Sequence, residues 1–541
     1  MLDITRLTDA LTAGIPELLD AHAVPGMAVG VCTPTQVLWS AGFGTTDAGG
    51  RTPVGTTTMF SVQSVSKTYT ATAVMIAVKQ GRVALDEPIT TYLPTFTVRT
   101  RFEDRPERKM TLRHLLGHTA GFTHEAPVGS NYVDGGESFD EHCASISDTW
   151  LRFPVGHHYE YSNLGIDLAG AILQRVYDVP FHEFVRRELL APLGLTRTTF
   201  DQDAIAAEED RAIGHNPQVP HLPVRIPMVP AGGIYTSVDD ALRYVQFHLR
   251  DGEKVLDKEL LATMYRVPFP APGQALGYGL GVQTSRWEPG VVVRHHGGGG
   301  FGFLCDVGWA PDPGVGVVVL TNSVDHPLTG RESLAQRIMR EVVESTAASV
   351  PTASSTTATP AAPTHRAPVP ASEAARFVGE YISRGASLAR IRSEAGRLVW
   401  DEGGDDDPDQ LRVTGRDEIV RENDGSATYR LLPGTDGAPA YLQCLDDGST
   451  WYRNDRPGTA GPPLEARWHG SYNVRVNGST VLTVELGVED GASHLTVMGV
   501  RIWLDQIGPG LYSSGDGEVL DLTRTPPTCA NIPLHRDIST T

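Results

Sequence analysis

A serine followed three residues later by a lysine stands at the head of an apolar run. The stretch reads Ser64-Val65-Ser66-Lys67, with small and apolar residues from Ala71 to Val78. That run predicts a buried helix, and the rest of the chain is arranged around it. Residues three apart share a helix face, with Cβ atoms roughly 5–6 Å apart. A hydroxyl is a weak nucleophile until a neighbouring base takes its proton. A lysine serves as that base only where burial disfavours its charged form. The helix N-terminus would also offer backbone N–H groups to a developing negative charge. The plainer reading makes Ser64 an N-cap and Lys67 a solvated surface charge. Ser-x-x-Lys recurs by chance, so the surrounding chain has to decide.

The chain has 541 residues, too many for one hydrophobic core, and two to four domains are expected. Its 40% hydrophobic and 20% charged residues are ordinary for a globular protein. The net charge of -20 argues against nucleic acid or an anionic membrane as partner. Five scattered cysteines without a C-x-x-C pair suggest neither a disulfide framework nor a zinc site. The N-terminus reads as an amphipathic helix, and no stretch approaches the ~18 apolar residues of a membrane span. A soluble, cytoplasmic protein is expected, with a homodimer left open.

Apolar spacing predicts a first helix from Leu7 to Val24, stopped by Pro25-Gly26. Met27 to Cys32 and Gln36 to Gly44 read as strands. Thr111 can cap a short helix carrying His114 and His118 four apart. That is a metal spacing, but the glutamate of a metalloprotease motif and a third ligand are both missing, so no metal is expected. Tyr161-Ser162-Asn163 sits where a loop enters the apolar helix Leu164 to Val176. There Ser162 or Asn163 can cap, while Tyr161 is a candidate proton shuttle and Asn163 a candidate substrate clamp. Ser237 is a plausible N-cap of a further helix. Val291 to Phe303 is a β-branched strand running into four glycines, where a ligand can approach the backbone. Phe303 to Trp309 and Val315 to Thr321 form an antiparallel hairpin, and Leu328 to Val343 a closing helix.

Taken together, Ser64/Lys67, Tyr161/Asn163 and His296-Gly297-Gly298 resemble the ordered S-x-x-K, Y-x-N and K-T-G or H-x-G motifs of the serine β-lactamase and penicillin-binding-protein superfamily. The likeness covers roughly residues 1–345. It is nearest to the class C-like branch of esterases, D-aminopeptidases and penicillin-binding-type thioesterases. The resemblance implies an acyl-enzyme on Ser64, with Lys67 and Tyr161 moving protons. It also implies an oxyanion hole from the N–H groups of Ser64 and Gly299, with Asn163, Gly298 and Gly299 contacting substrate. No cofactor is implied. His296, the fourth catalytic residue the resemblance implies, stands where β-lactamases carry lysine, which weakens the case for binding a substrate carboxylate. His295 is an alternative anchor for the same motif.

Residues 346–372 are rich in Ala, Ser, Thr and Pro and read as a linker. Beyond it, Phe377-Val378-Gly379-Glu380-Tyr381 and Trp468-His469-Gly470-Ser471-Tyr472 share aromatic-x-Gly-x-Tyr ahead of short alternating strands. This weak repeat predicts two β-barrel-like modules, at 373–460 and 461–535. Asp401 to Asp409 reads as a solvated acidic turn rather than a calcium loop. The expected architecture is therefore α+β: a β-lactamase-like domain, an antiparallel sheet flanked by helices, followed by lipocalin-like all-β modules. The expected activity is serine acyl hydrolysis or acyl transfer on a small-molecule or peptide substrate. Peptide or aminoacyl amides, esters or thioesters are the expected donors, with a D-residue at the attacked carbonyl, as the resemblance to D-aminopeptidases implies. A permissive carboxylesterase, a penicillin-binding-type peptide cyclase and a catalytically idle acyl-binding module are the competing readings.

Overall fold

The computed structural model describes residues 4–536 except 51, 130–135, 220–221, 272–273, 275, 288–289, 325, 327–332, 349–373, 384–386, 395–396, 404–406, 423–426, 435–439, 457–461 and 477–478. Residues 349–372 of the predicted linker lie outside the described residues, as does the start of the predicted closing helix. That helix is described as Leu334–Ala348, so it runs past the expected boundary at 345.

Seven antiparallel strands form the first sheet. Their order is Val37–Gly44, Gly26–Cys32, Val315–Thr321, Phe303–Ala310, Val291–Gly300, Gln283–Trp287 and Gly277–Tyr278. Side chains alternate across a strand, and here both faces are apolar. Met27, Val29, Val31, Val315, Val317 and Val319 face the terminal helices Thr5–Ala21 and Leu334–Ala348. Ala28, Cys32, Cys305, Val307, Val318 and Leu320 face a larger helical layer. Within that layer the Ser66–Lys79 helix is buried on every side from Ser66 to Ala77. A helix so enclosed needs no polar face, which is why its sequence lacks an amphipathic stripe.

The first helix stops earlier than its apolar spacing suggested. Ala23 takes a left-handed φ of +51°. Val24 N then donates to Leu19 O at 2.9 Å and Ala23 N to Asp20 O at 3.4 Å, a Schellman stop that leaves Val24 in the core. The caps at Thr111, Ser162 and Ser237 form as expected, each side chain accepting from a first-turn N–H.

Beyond residue 373 the chain is all β. Eight strands from Gly379–Ser383 to Thr450–Arg453 make a closed barrel, the first pairing with the last through Tyr381↔Arg453 and Ile382↔Tyr452. Its interior is filled by Phe377, Tyr381, Trp400, Tyr429 and neighbouring aliphatics, as eight strands allow. A second set of eight runs from Gly470–Val476 to Ile532–Pro533, and an Asn473↔His535 bridge brings its two ends together. The sequence repeat is a structural one. Tyr381 donates to Phe377 O at 2.9 Å and Tyr472 to Trp468 O at 3.0 Å. In each unit an arginine from the far end, Arg453 or Arg536, lies 5.6 Å from that tyrosine ring. At the acidic turn, Asp401 pairs with Arg392 at 2.7 Å.

The second β unit meets the helical layer at a buried guanidinium, and the closed barrel meets it at the adjoining Glu160. Arg152 is 2% exposed and lies 3.5 Å from Glu160, 3.2 Å from Asp516 and 3.2 Å from Glu518. The other oxygen of Glu160 accepts from Tyr452 at 2.6 Å and Thr450 at 2.9 Å, both in the closed barrel. Three carboxylates therefore surround one cation. Burial, and the nearby Asp516 and Glu160, push Glu518 up from 4.5 to about 7 despite Arg152. Between those values the folded protein holds a proton that the unfolded chain releases. That stabilisation is present in acid and is lost as pH rises through about 7. Glu518→Gln keeps the group neutral. Its melting temperature is expected to rise relative to wild type as pH goes from 5 to 8. Thermal scans at several pH values check this, and a gap that stays constant or closes would contradict it.

Candidate active site

The strand Phe60–Ser61 enters a single 3₁₀ turn, Gln63–Val65, which leads directly into the Ser66–Lys79 helix. Ser64 thus stands two residues before the α-helix, in the 3₁₀ turn, and keeps its spacing to Lys67. Gln63 has a left-handed φ of +46°, an unfavourable conformation for a side chain of its size. It is held there by Gln63 Nε2 donating to Ser61 Oγ at 2.6 Å and Ser66 Oγ donating to Gln63 O at 2.5 Å.

Lys67 is wholly buried. Its Nζ lies 3.0 Å from Ser64 Oγ and donates to the Ala231 carbonyl at 2.9 Å. The ring of Tyr161 lies 4.8 Å from the same nitrogen. The loop carrying Tyr161 is fixed from behind. Ser162 N donates to His118 Nδ1 at 3.2 Å, and Ser162 Oγ donates to Thr123 O at 2.5 Å. His118 also lies against Tyr161, the ring centroids 4.4 Å apart. His114 is directed elsewhere, bonded to Thr111 and stacked on Phe269. Among the described residues there is no group of three or more His, Cys, Asp or Glu placed to hold a metal.

The third expected motif comes in on the strand Val291–Gly300. A Cβ on Gly298 would lie 2.1 Å from Val62 O, so only glycine lets this strand reach the turn that carries Ser64. Gly281 plays the same part on the other side, where a Cβ would meet Lys67 O at 2.6 Å. Pairing with Gln283–Trp287 covers Val291 to His295 and stops there, whereas pairing with Phe303–Ala310 continues to Gly300. One backbone edge of Gly297 to Gly300 is therefore left outside the ladder on the side of Ser64.

Neighbouring side chains on a strand point apart, and this separates the two histidines. His295 Nε2 meets Ser285 Oγ at 3.0 Å, and its ring packs 5.0 Å from Trp287. His296 lies 6.1 Å from the Tyr161 ring. Its Nδ1 faces the Gly297 carbonyl at 2.6 Å and must donate; in the neutral ring Nε2 is then an acceptor, filled by the Tyr278 hydroxyl at 2.8 Å. Burial and the nearby Lys67 push His296 down to about 3. The imidazole is therefore neutral at physiological pH.

These groups border an open cleft of about 300 Å³ lined by Ser64, Tyr159, Tyr161, Tyr278, Gln283, His295, His296, Gly297 and Gly299. Lys67 backs Ser64. Gly298 is turned to Val62, and Asn163 points its amide toward Met228 Sδ at 3.8 Å, and neither is among the lining residues. Gln283 donates to Asp447 O at 2.9 Å, so the closed barrel meets the rim. Tyr278 and Gln283 were not singled out in the sequence. The signal available for Tyr278 was its setting, Gly277-Tyr278-Gly279-Leu280-Gly281, in which glycines flank an aromatic residue.

Fold and site together define an α+β scaffold built around a serine and a buried lysine. The β-lactamase family model matches residues 11–339, well over half of the chain, and the chain belongs to the β-lactamase family. Esterase EstB of Burkholderia gladioli is 27% identical over 383 residues, covering 62% of this chain and 95% of the esterase. A penicillin-binding protein homologue from Pyrococcus abyssi superposes with a TM-score of 0.53 at 19% identity, covering 91% of this chain and 99% of that one. The D-amino acid amidase from Ochrobactrum anthropi SV3 gives 0.52 at 22% identity, covering 64% and 99%. The two structural likenesses bear on the fold, which is β-lactamase-like with all-β units after it. Among the described residues no helix is long and apolar enough to cross a membrane.

The neutral state of His296 is directly measurable. With 15N-labelled histidine and His296→Gln for assignment, its ring should show the Nδ1–H tautomer without titration between pH 5 and 8. A titration midpoint near 6.5 would contradict the bonding described.

Proposed function

We propose that this chain is a serine acyl hydrolase or acyltransferase with Ser64 as nucleophile. The observation that carries this reading is the 3.0 Å contact between Ser64 Oγ and a buried amine fixed from behind by Ala231 O. Lys67 takes the serine proton as Oγ bonds to the substrate carbonyl carbon. The displaced electron pair moves to the carbonyl oxygen, met by the N–H groups of Ser64 and Gly299. Tyr161 gives its hydroxyl proton to the leaving group as the bond from that group to carbon breaks, and Lys67 passes the serine proton to Tyr161 in exchange. Water or another nucleophile then attacks the acyl carbon, its proton going to Ser64 Oγ as the carbon–Oγ bond breaks.

The donor we favour is a peptide or aminoacyl amide, ester or thioester with a D-residue at the attacked carbonyl. The open edge of Gly297 to Gly300 can hydrogen-bond an extended backbone as an added strand. With the backbone pinned there and the carbonyl held in the oxyanion hole, one configuration keeps the side chain clear of the strand. A neutral His296 offers no charge to a substrate carboxylate, which favours bonds inside or at the blocked end of a peptide. The fold shared with a D-amino acid amidase supports this choice. A permissive carboxylesterase is the second reading, supported by the relative EstB.

Ser64→Ala and Lys67→Ala are each expected to abolish turnover while the protein stays folded. Tyr161→Phe is expected to lower kcat by about 10²-fold or more. Steady-state kinetics on matched D- and L-aminoacyl p-nitroanilides and p-nitrophenyl esters checks the assignment. Activity near wild type in purified Ser64→Ala would end it. Equal kcat/KM for both hands, or a preference for L, would leave the esterase reading.

A further inference from the structure

We propose that His142 and Asp167 form a buried positioning pair that sets the place of Lys67 through the Ala231 backbone. The proposal rests on the reading of Lys67 as the base.

Ala231 lies in the four-residue helix Val229–Gly232, whose N-cap position is Met228. The third N–H of a helix has no partner within it and usually takes a capping side chain. Methionine offers no oxygen. Asp167, from the helix Asn163–Tyr177, supplies one instead: its Oδ1 accepts from Ala231 N at 2.9 Å. The carbonyl at the other end of the same peptide group, Pro230 O, accepts from Thr70 Oγ1 at 2.7 Å. The 230–231 peptide is thus held at both ends. The next carbonyl, Ala231 O, accepts from Lys67 Nζ at 2.9 Å.

Asp167 is itself held. Its Oδ2 meets His142 Nε2 at 3.0 Å, with side chains 0% and 1% exposed. His142 Nδ1 meets Val128 O at 2.7 Å. Both ring nitrogens face oxygens that only accept, so the ring carries both protons and pairs as an imidazolium with the carboxylate. Burial opposes that charge, but the hydrogen bond and charge of Asp167 and the Val128 carbonyl outweigh it and raise the His142 pKa. A buried ion pair is weak evidence for stability alone, since an apolar replacement is often neutral or better. Here it places an oxygen acceptor where the lysine's backbone anchor needs one.

Two variants separate positioning from packing. Asp167→Leu is close in shape and removes the acceptor from Ala231 N–H. Asp167→Asn keeps it, and its amide can donate to a neutral His142 that still donates to Val128. In folded protein, checked by circular dichroism and melting temperature, we expect Asp167→Leu to lose about 10²-fold in kcat. KM should change by less than about threefold, and Asp167→Asn should stay within about threefold of wild-type kcat. The rate at which an uncharged fluorophosphonate modifies Ser64 should follow kcat. In a Lys67→Ala background, Asp167→Leu should slow that modification no further. A folded Asp167→Leu with kcat near wild type, a loss confined to KM, equal losses in both variants, or additive losses with Lys67→Ala would each overturn the pair's role. Should Asp167→Leu fail to fold, Asp167→Ala, which leaves room for relaxation, is read by the same criteria. If Lys67→Ala alone leaves the modification rate unchanged, the reading of Lys67 as base fails, and the pair's role with it.

Discussion

The arrangement depends on one buried amine. Lys67 sits on a helix with no solvent-facing side, and its nitrogen has Ser64 Oγ, Ala231 O and the Tyr161 ring around it. Burial makes a lysine usable as a base, but it also makes every neighbouring group consequential, because an unmet polar atom there costs about 1–3 kcal/mol. Each layer of the fold answers that demand with a backbone group. The sheet brings its glycine-rich strand against Val62, and Gly281 allows a second segment to touch the lysine's own helix. The short turn at Val229–Gly232 supplies the carbonyl.

The C-terminal β units belong to the same arrangement. Glu160, bonded to the closed barrel through Tyr452 and Thr450, directly precedes Tyr161. Its carboxylate shares Arg152 with Asp516 and Glu518 of the second unit. The closed barrel therefore touches the segment that carries Tyr159 and Tyr161 to the cavity, and the second unit reaches Glu160 through Arg152. Breaking such a junction by removing one partner leaves uncompensated charge, typically 3–5 kcal/mol.

Local patterns were legible in the sequence. Ser-x-x-Lys ahead of small apolar residues is a matter of helical spacing, and the structure turns it into a 3.0 Å contact. A β-branched run ending in glycines is a matter of strand pattern, and it became the strand beside Ser64. The Phe377 and Trp468 repeats carried over because a tyrosine bonding four residues back is a local event. What stayed hidden was non-local. Nothing near Asp167 announces His142 or Ala231, which are 25 and 64 residues away. Tyr278 meets His296 only through sheet register. The left-handed Gln63 carries no signature, since glycine is the residue that usually marks such a backbone. The first helix ended short of its apolar run because tertiary packing took Val24 for the core.

The central claim is that Ser64 is a nucleophile activated by Lys67. Intact-protein mass spectrometry after exposure to a fluorophosphonate, with peptide mapping, tests it most directly. The account predicts a single adduct on Ser64 in wild type, slow or absent modification in Lys67→Ala, and none in Ser64→Ala. An unmodified wild-type protein under all conditions, or an adduct on another residue, would contradict it and favour an idle acyl-binding module on this fold.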